Sequence, residues 1–277
     1  MTLFQDKFWD LSLPLYKIEG KDSRKFLQGQ TTADLLSIEE GTFVRSCWLS
    51  PTGRVKSLLE IQLINDCLCF VVLGGNEKDL INGFNHVIFP SDQVEIICED
   101  NIRRIQHMSN KESWKASKTE WIFNDQKLPQ YFNNLKSADS YSVNLWIIYQ
   151  GFPIGLNYMN GTHNPFEIGL SDLVSLDKGC YLGQETLSKL KNIGKVKCEL
   201  RLFKSLHEFH SGDKLIISDQ NSSNQNAGLV TNVIRYDSLY VGLALIKRNY
   251  LYREKLDLTN EIGSIEVMNP IGSSYIN

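Results

Sequence analysis

The sequence has no apolar run near the ~18–20 residues that a membrane-crossing helix needs, so no membrane partner is expected. It has no excess of positive charge either. Lys and Arg number 29 against 32 Asp and Glu, a net charge of −3. Strong direct binding of nucleic acid, which runs on phosphate neutralisation, is therefore not expected. The N-terminus, Met-Thr-Leu-Phe-Gln-Asp-Lys-Phe-Trp-Asp, carries two acids and lacks the apolar core of a secretory leader. The six cysteines (47, 67, 69, 98, 180, 198) are scattered among mostly apolar neighbours. With no export signal they predict a reducing, cytoplasmic setting and no disulfide framework. Cys67 and Cys69 share a strand face but lack two further ligands at matching spacing. His207 and His210 form an isolated His-x-x-His. No metal centre is expected. There is no phosphate-loop motif, no Gly-x-Gly-x-x-Gly in context and no internal repeat.

What is present is enough for a core: 277 residues, 42% of them hydrophobic. Leu13–Ile18 reads as a first strand, followed by a short helix carrying Phe26 and Leu27 inward. A three-stranded meander is expected over Thr42–Leu49, Arg54–Ile64 and Cys67–Leu73, with Ser50-Pro51-Thr52-Gly53 as its first turn. A helix over Glu77–Val87 and a strand over Gln93–Glu99 follow. The order predicts an α+β layer with an antiparallel sheet, not a doubly wound parallel one. Residues 109–148 hold the weakest pattern and are expected to form a reduced second subdomain, with strands at Glu120–Phe123 and Tyr141–Tyr149. From residue 196 the pattern becomes short strands between Gly, Asn and Ser clusters, the spacing of a small β-barrel. The expected division is 1–195 and 196–277.

The most unusual stretch is Leu176–Lys189, Leu-Asp-Lys-Gly-Cys-Tyr-Leu-Gly-Gln-Glu-Thr-Leu-Ser-Lys. It sets Cys180 between Gly179 and Gly183, both of which permit backbone angles that a Cβ would forbid. Lys178 and the start of a following helix near Cys180 would both favour a thiolate. Against that, cysteine is commonly a small buried hydrophobe. Glu185 and Lys189 stand four apart, which by itself describes a solvent-facing helix pair. Glu167, in Asn164-Pro165-Phe166-Glu167-Ile168-Gly169-Leu170, is a carboxylate in an apolar segment and needs a partner if buried. An ion pair would supply one, and so would a heterocycle offering adjacent N–H and NH₂ donors.

Lys178-Gly179-Cys180-Tyr181-Leu182-Gly183-Gln184-Glu185 followed by Lys189 resembles the signature Lys-Gly-Cys-Tyr/Phe-x-Gly-Gln-Glu-x-x-x-Arg/Lys of the YgfZ-like folate-binding proteins. These are relatives of the glycine cleavage T-protein, an aminomethyltransferase. Gly20-Lys21-Asp22, Phe26–Asp34 and Leu49–Val55 resemble the same family's N-terminal blocks. Gly228–Thr231 and Gly242–Leu245 resemble its C-terminal barrel. The resemblance implies antiparallel α/β lobes around a channel that binds tetrahydrofolate, then a small barrel. It implies a role in assembling or repairing iron–sulfur client enzymes, including radical enzymes that modify tRNA; the chain itself is expected to be a monomer. On the matching positions Cys180 becomes the functional thiol with Lys178 beside it. Glu167 becomes the pterin anchor, and Arg54, Tyr181, Gln184, Glu185 and Lys189 become further folate contacts. Two departures matter. Lys189 stands where many members have Arg, replacing a planar fork by a point charge. No equivalent of the T-protein's N-terminal catalytic Asp is found, which argues against aminomethyl transfer from a lipoyl carrier. The alternatives are a folate-dependent one-carbon transferase and a non-catalytic folate-binding scaffold; enzymatic turnover is left open.

Overall fold

A long first strand sets the layout. In the computed structural model, which describes residues 4, 7–124, 126–155, 158–219, 222–258 and 263–276, β1 spans Lys7–Glu19. It pairs antiparallel with β5 (Glu95–His107) along nearly its whole length. The register shifts between Pro14 and Tyr16, where proline has no N–H to give to a ladder. After α1 (Ser23–Gln30) comes the meander β2 (Phe43–Leu49), β3 (Val55–Ile64) and β4 (Cys67–Gly75). Then α2 (Glu77–Val87) starts on an Asn76 side-chain cap. Two short strands, β6 (Thr119–Ile122) and β7 (Lys136–Ser137), join the same sheet. Its order is β2-β3-β4-β1-β5-β6, with β7 on the free end of β1.

α1 and α2 cover one face of this sheet. Leu27, Leu80 and Phe84 pack there against Ile18, Trp48, Leu59 and Phe70. α3 (Ser140–Gln150) packs in a second, larger core with Trp9, Leu58, Phe152 and Tyr158. The strand expected over Tyr141–Tyr149 is thus a helix. Asp139 caps its N-terminus through the Ser142 N–H, and Gly151 closes it in the left-handed conformation. Val143, Leu145, Trp146, Ile147 and Ile148 are all buried. Being apolar on nearly every side, the segment has no helical stripe to betray it.

α4 (Gln184–Ile193) leads into six strands: β8 (Cys198–Ser205), β9 (Lys214–Asp219), β10 (Ser222–Tyr236), β11 (Leu239–Lys247), β12 (Lys255–Leu258) and β13 (Gly263–Met268). They close as a barrel in the order β10-β11-β8-β13-β12-β9, which leaves no open edge. β12 is the shortest barrel strand, four residues long. The fold is the expected α+β type: an antiparallel lobe followed by a small barrel. Leu200, Leu202 and Leu243 of the barrel enter the larger core, so the two parts share buried surface. Among the described residues, no helix is long and apolar enough to cross a membrane.

Candidate functional site

The Leu176–Gly183 loop is pegged to α1. The Lys178 ammonium donates to the main-chain oxygens of Gln28, Thr31 and Ala33 at 2.7, 2.6 and 2.5 Å. These lie at and just beyond the end of α1, where a helix leaves carbonyls without partners and favours a cation. The ammonium also stands 4.8 Å from the centroid of the Tyr181 ring. The Leu182 N–H donates to the Gly29 oxygen at 3.1 Å. The Gln184 amide donates to the oxygens of Leu176 and Lys178, and its Oε1 accepts from the Tyr181 N–H. Tyr181 is buried in the larger core. Across Lys178–Gln184, every residue bearing a side chain is buried or half-buried except Cys180, which is exposed.

One detail differs from expectation. Lys178 turns its ammonium onto the α1 carbonyls, and burial pulls it down to about 8; there it holds the loop. α4 begins at Gln184, four residues beyond the cysteine. The two glycines also differ. Gly183 has φ +83°, and a Cβ on it would meet the Ser50 oxygen at 2.8 Å and the Gly53 Cα at 3.0 Å. Gly179 shows no left-handed angle, and a Cβ there would meet open space.

The Gly183–Gly53 contact wedges the Ser50–Arg54 turn against the start of α4. From the other side of that turn, the Val55 N–H donates to the His163 oxygen at 2.8 Å. Arg54 then reaches the buried carboxylate of Glu167, Nη1 to Oε2 at 3.1 Å. The turn therefore borders both the cysteine loop and the Glu167 segment. Locally, the Asn164 side chain accepts from the N–H groups of Phe166 and Glu167 and curls the chain. Glu167 Oε2 accepts from the Asn164 N–H at 3.0 Å. Burial alone would raise this carboxyl, but His163, the Asn164 N–H and the Arg54 guanidinium hold it below the usual carboxylate range. None of the described hydrogen bonds uses its Oε1.

Glu185 and Lys189 pair with each other at 2.6 Å, on the solvent side of α4, with side chains 82% and 70% exposed. The structure brings Arg54 and Glu167 together, joins Lys178, Tyr181 and Gln184 into the loop's framework, and leaves Glu185 and Lys189 apart from both groups.

Three further groups belong to this region. Glu60 is fully buried and holds two guanidiniums: Arg104 through a two-pronged pair at 2.7 and 2.9 Å, and Arg45 at 2.8 Å. Despite burial, these cations hold Glu60 down at about 2. Arg45 and Lys115 line a cavity of about 420 Å³ beside Ala33, Asp172 and Ser175. Buried Arg45 Nε has no hydrogen-bond partner among the described residues. A second cavity of about 350 Å³, lined by Phe166, Leu176 and Tyr275, shares Asp172 and Val174 with the first. Strand alternation gives Arg45 and Glu60 no distinguishing mark in sequence. Only their cross-strand register, Arg45 opposite Glu60, pairs them. Finally, one ligand atom each from His163, Glu167 and Cys198 lie within 4.8 Å of one another. Burial pushes the Cys198 thiol up to about 12.

No family model matches the chain. A tRNA-modifying protein YgfZ of Colwellia psychrerythraea is 25% identical over 233 residues, 71% of this chain and 71% of that protein. One of Aliivibrio fischeri is 24% identical over 259 residues, covering 82% and 80%. Among solved structures, the glycine cleavage system aminomethyltransferase T of Bartonella henselae superposes with a TM-score of 0.73 at 11% identity. The match covers 98% of this chain and 88% of that one. That likeness establishes the fold, α+β lobe and barrel alike.

Proposed function

We propose that this chain, YgfZ-like in sequence and built on the T-protein fold, is a tetrahydrofolate-binding accessory protein for the maturation or repair of iron–sulfur proteins, including enzymes that modify tRNA. One observation carries the proposal. In a loop whose other side chains are held inward, the Cys180 thiol alone between Lys178 and Gln184 is presented to solvent. A packing cysteine would be covered. A thiol displayed on an anchored loop is suited to meet a partner protein's surface.

Tetrahydrofolate requires an ionised acceptor for the N–H donors of its pterin and cations for its acidic tail. Glu167 is held ionised, with one oxygen outside the described hydrogen bonds. Arg45 and Lys115 line a cavity within the size range of ligand pockets. The Arg45 Nε–H has no described partner, and a carboxylate would satisfy it. These residues offer the two kinds of contact a folate needs, with Lys115 paired to Asp172 at 2.5 Å in the free protein. One adjustment is needed. Oε2 already accepts from Asn164 and Arg54, so a pterin meets both oxygens when the Arg54 side chain, 29% exposed, swings outward. When bound, the folate would supply a one-carbon carrier. The chain's own part is to orient it by Glu167 and to offer Cys180 to the client. The protein acts as a monomer in the cytoplasm, and tRNA is met through the client enzyme.

Calorimetry with tetrahydrofolate tests the binding half. Glu167→Ala removes a charged acceptor and should weaken binding by about 10- to 100-fold; absence of binding by the unaltered protein would overturn it. Complementation of a deletion strain tests the thiol half. Cys180→Ala should fail to restore iron–sulfur enzyme activity. Full restoration with folate binding intact would indicate a scaffold. Turnover of tetrahydrofolate with an amine donor by Cys180→Ala would indicate a one-carbon transferase.

A further inference from the structure

The His163, Glu167 and Cys198 cluster sits where three parts of the chain meet. His163 and Glu167 are four residues apart on the curl made by Asn164. Cys198 is the first residue of β8. Each ligand is tied down by its backbone. The His163 oxygen accepts from the Val55 N–H at 2.8 Å. The Glu167 oxygen accepts from the Leu200 N–H at 2.9 Å, two residues beyond Cys198. Cys198 is itself in register with Lys247 of β11. One imidazole nitrogen, one carboxylate oxygen and one sulfur are therefore gathered within 4.8 Å of one another by two fixed segments.

We propose that this cluster is a binding site for a divalent transition-metal cation of the zinc class. The donor set of N, O and S is the mixture that borderline-soft cations select, and hard cations such as magnesium or calcium avoid a sulfur ligand. Zinc bonds of about 2.0–2.3 Å hold tetrahedral ligands about 3.5 Å apart. His163 Nδ1 and Glu167 Oε2 are already 3.8 Å apart, and all three donors fall within 4.8 Å. Closure requires movements of about 1 Å, within the reach of side-chain torsions at half-buried His163 and Cys198. Charge also balances. Glu167 contributes one negative charge, and the thiol contributes another once its proton passes to solvent, so a dication is neutralised. Oε2 already accepts from the Arg54 guanidinium and the Asn164 N–H, so a metal bound there displaces Arg54, whose partly exposed side chain turns to water; Lys197 and Glu199 also act on the thiol. Three protein ligands leave a fourth position open, the arrangement of a site that exchanges water for a further ligand. The exposed thiol of Cys180 is not part of it.

Cobalt(II) is the probe, because a cobalt–thiolate bond gives a charge-transfer absorption that nitrogen and oxygen ligands do not. Titrating the full-length protein, free of folate, should produce that band with one equivalent bound. Cys198→Ser should abolish the band, and His163→Ala should weaken cobalt binding by about tenfold or more. Cys180→Ser should leave both unchanged. Thermal unfolding of each variant separates loss of the site from loss of the fold. Binding without a thiolate band, or a band that survives Cys198→Ser but disappears with Cys180→Ser, would overturn the assignment. The proposal shares Glu167 with the folate proposal but fails separately. Cys198→Ser should still bind tetrahydrofolate in the calorimeter, whatever happens to cobalt.

Discussion

Gly183→Ala is expected to destabilise the protein by about 2–4 kcal/mol, while Gly179→Ala, directly beside Cys180, leaves it unchanged or slightly more stable. At Gly183 an alanine must hold a φ of +83°, which costs a side-chain-bearing residue about 1–2 kcal/mol. Its Cβ would also press on the Ser50 oxygen at 2.8 Å and the Gly53 Cα at 3.0 Å. Both are backbone atoms and cannot rotate away, so overpacking adds about 1–3 kcal/mol. The reduced freedom of the unfolded chain returns only about 0.4–1 kcal/mol. At Gly179 only that last contribution remains, because the angle is ordinary and the space is open. Urea unfolding followed by tryptophan fluorescence would report both variants against the unaltered protein. Equal stability of the two variants, or a greater loss at Gly179, would refute the wedge between the turn and α4.

Glu60 should make stability fall with acid. Its carboxyl is charged in the fold down to about 2 against an ordinary value of 4.5. The contribution is therefore complete above ~4.5 and is lost as pH falls towards ~2, an amount of about 3 kcal/mol. Glu60→Gln, which strands two buried guanidiniums, should cost about 3–5 kcal/mol near neutral pH and flatten that acid slope; urea midpoints showing the same slope in the variant would refute the network. Glu185→Gln and Lys189→Gln, singly or together, should leave unfolding midpoints and tetrahydrofolate affinity within measurement error; a clear loss of affinity would return them to the binding site.

Much of the fold was legible because its signals are local. The Ser50-Pro51-Thr52-Gly53 turn, the meander around it and α2 over Glu77–Val87 follow from turn chemistry and from the period of the apolar residues. α3 was not legible, since a segment buried on almost every side has no period to read. The signature around Cys180 was equally clear, because its residues are contiguous. Their separate duties were not. Lys178 and Cys180 differ by two positions in sequence, yet one points into the end of α1 and the other to solvent. That difference depends on carbonyls at Gln28, Thr31 and Ala33, some 150 residues away.

The sequence by itself determined the antiparallel α+β order, the barrel at the end of the chain, and a cysteine loop of unusual composition. These rest on interactions between near neighbours, which composition and spacing record. Only the tertiary structure decided that Arg54 meets Glu167, that Arg45 and Arg104 share Glu60, and that His163 and Cys198 converge on the same carboxylate. Apart from His163 and Glu167, which share one loop, those pairings join residues from different strands or loops. Strand register and the closure of the barrel set their distances, and burial then makes the charge contacts strong enough to matter.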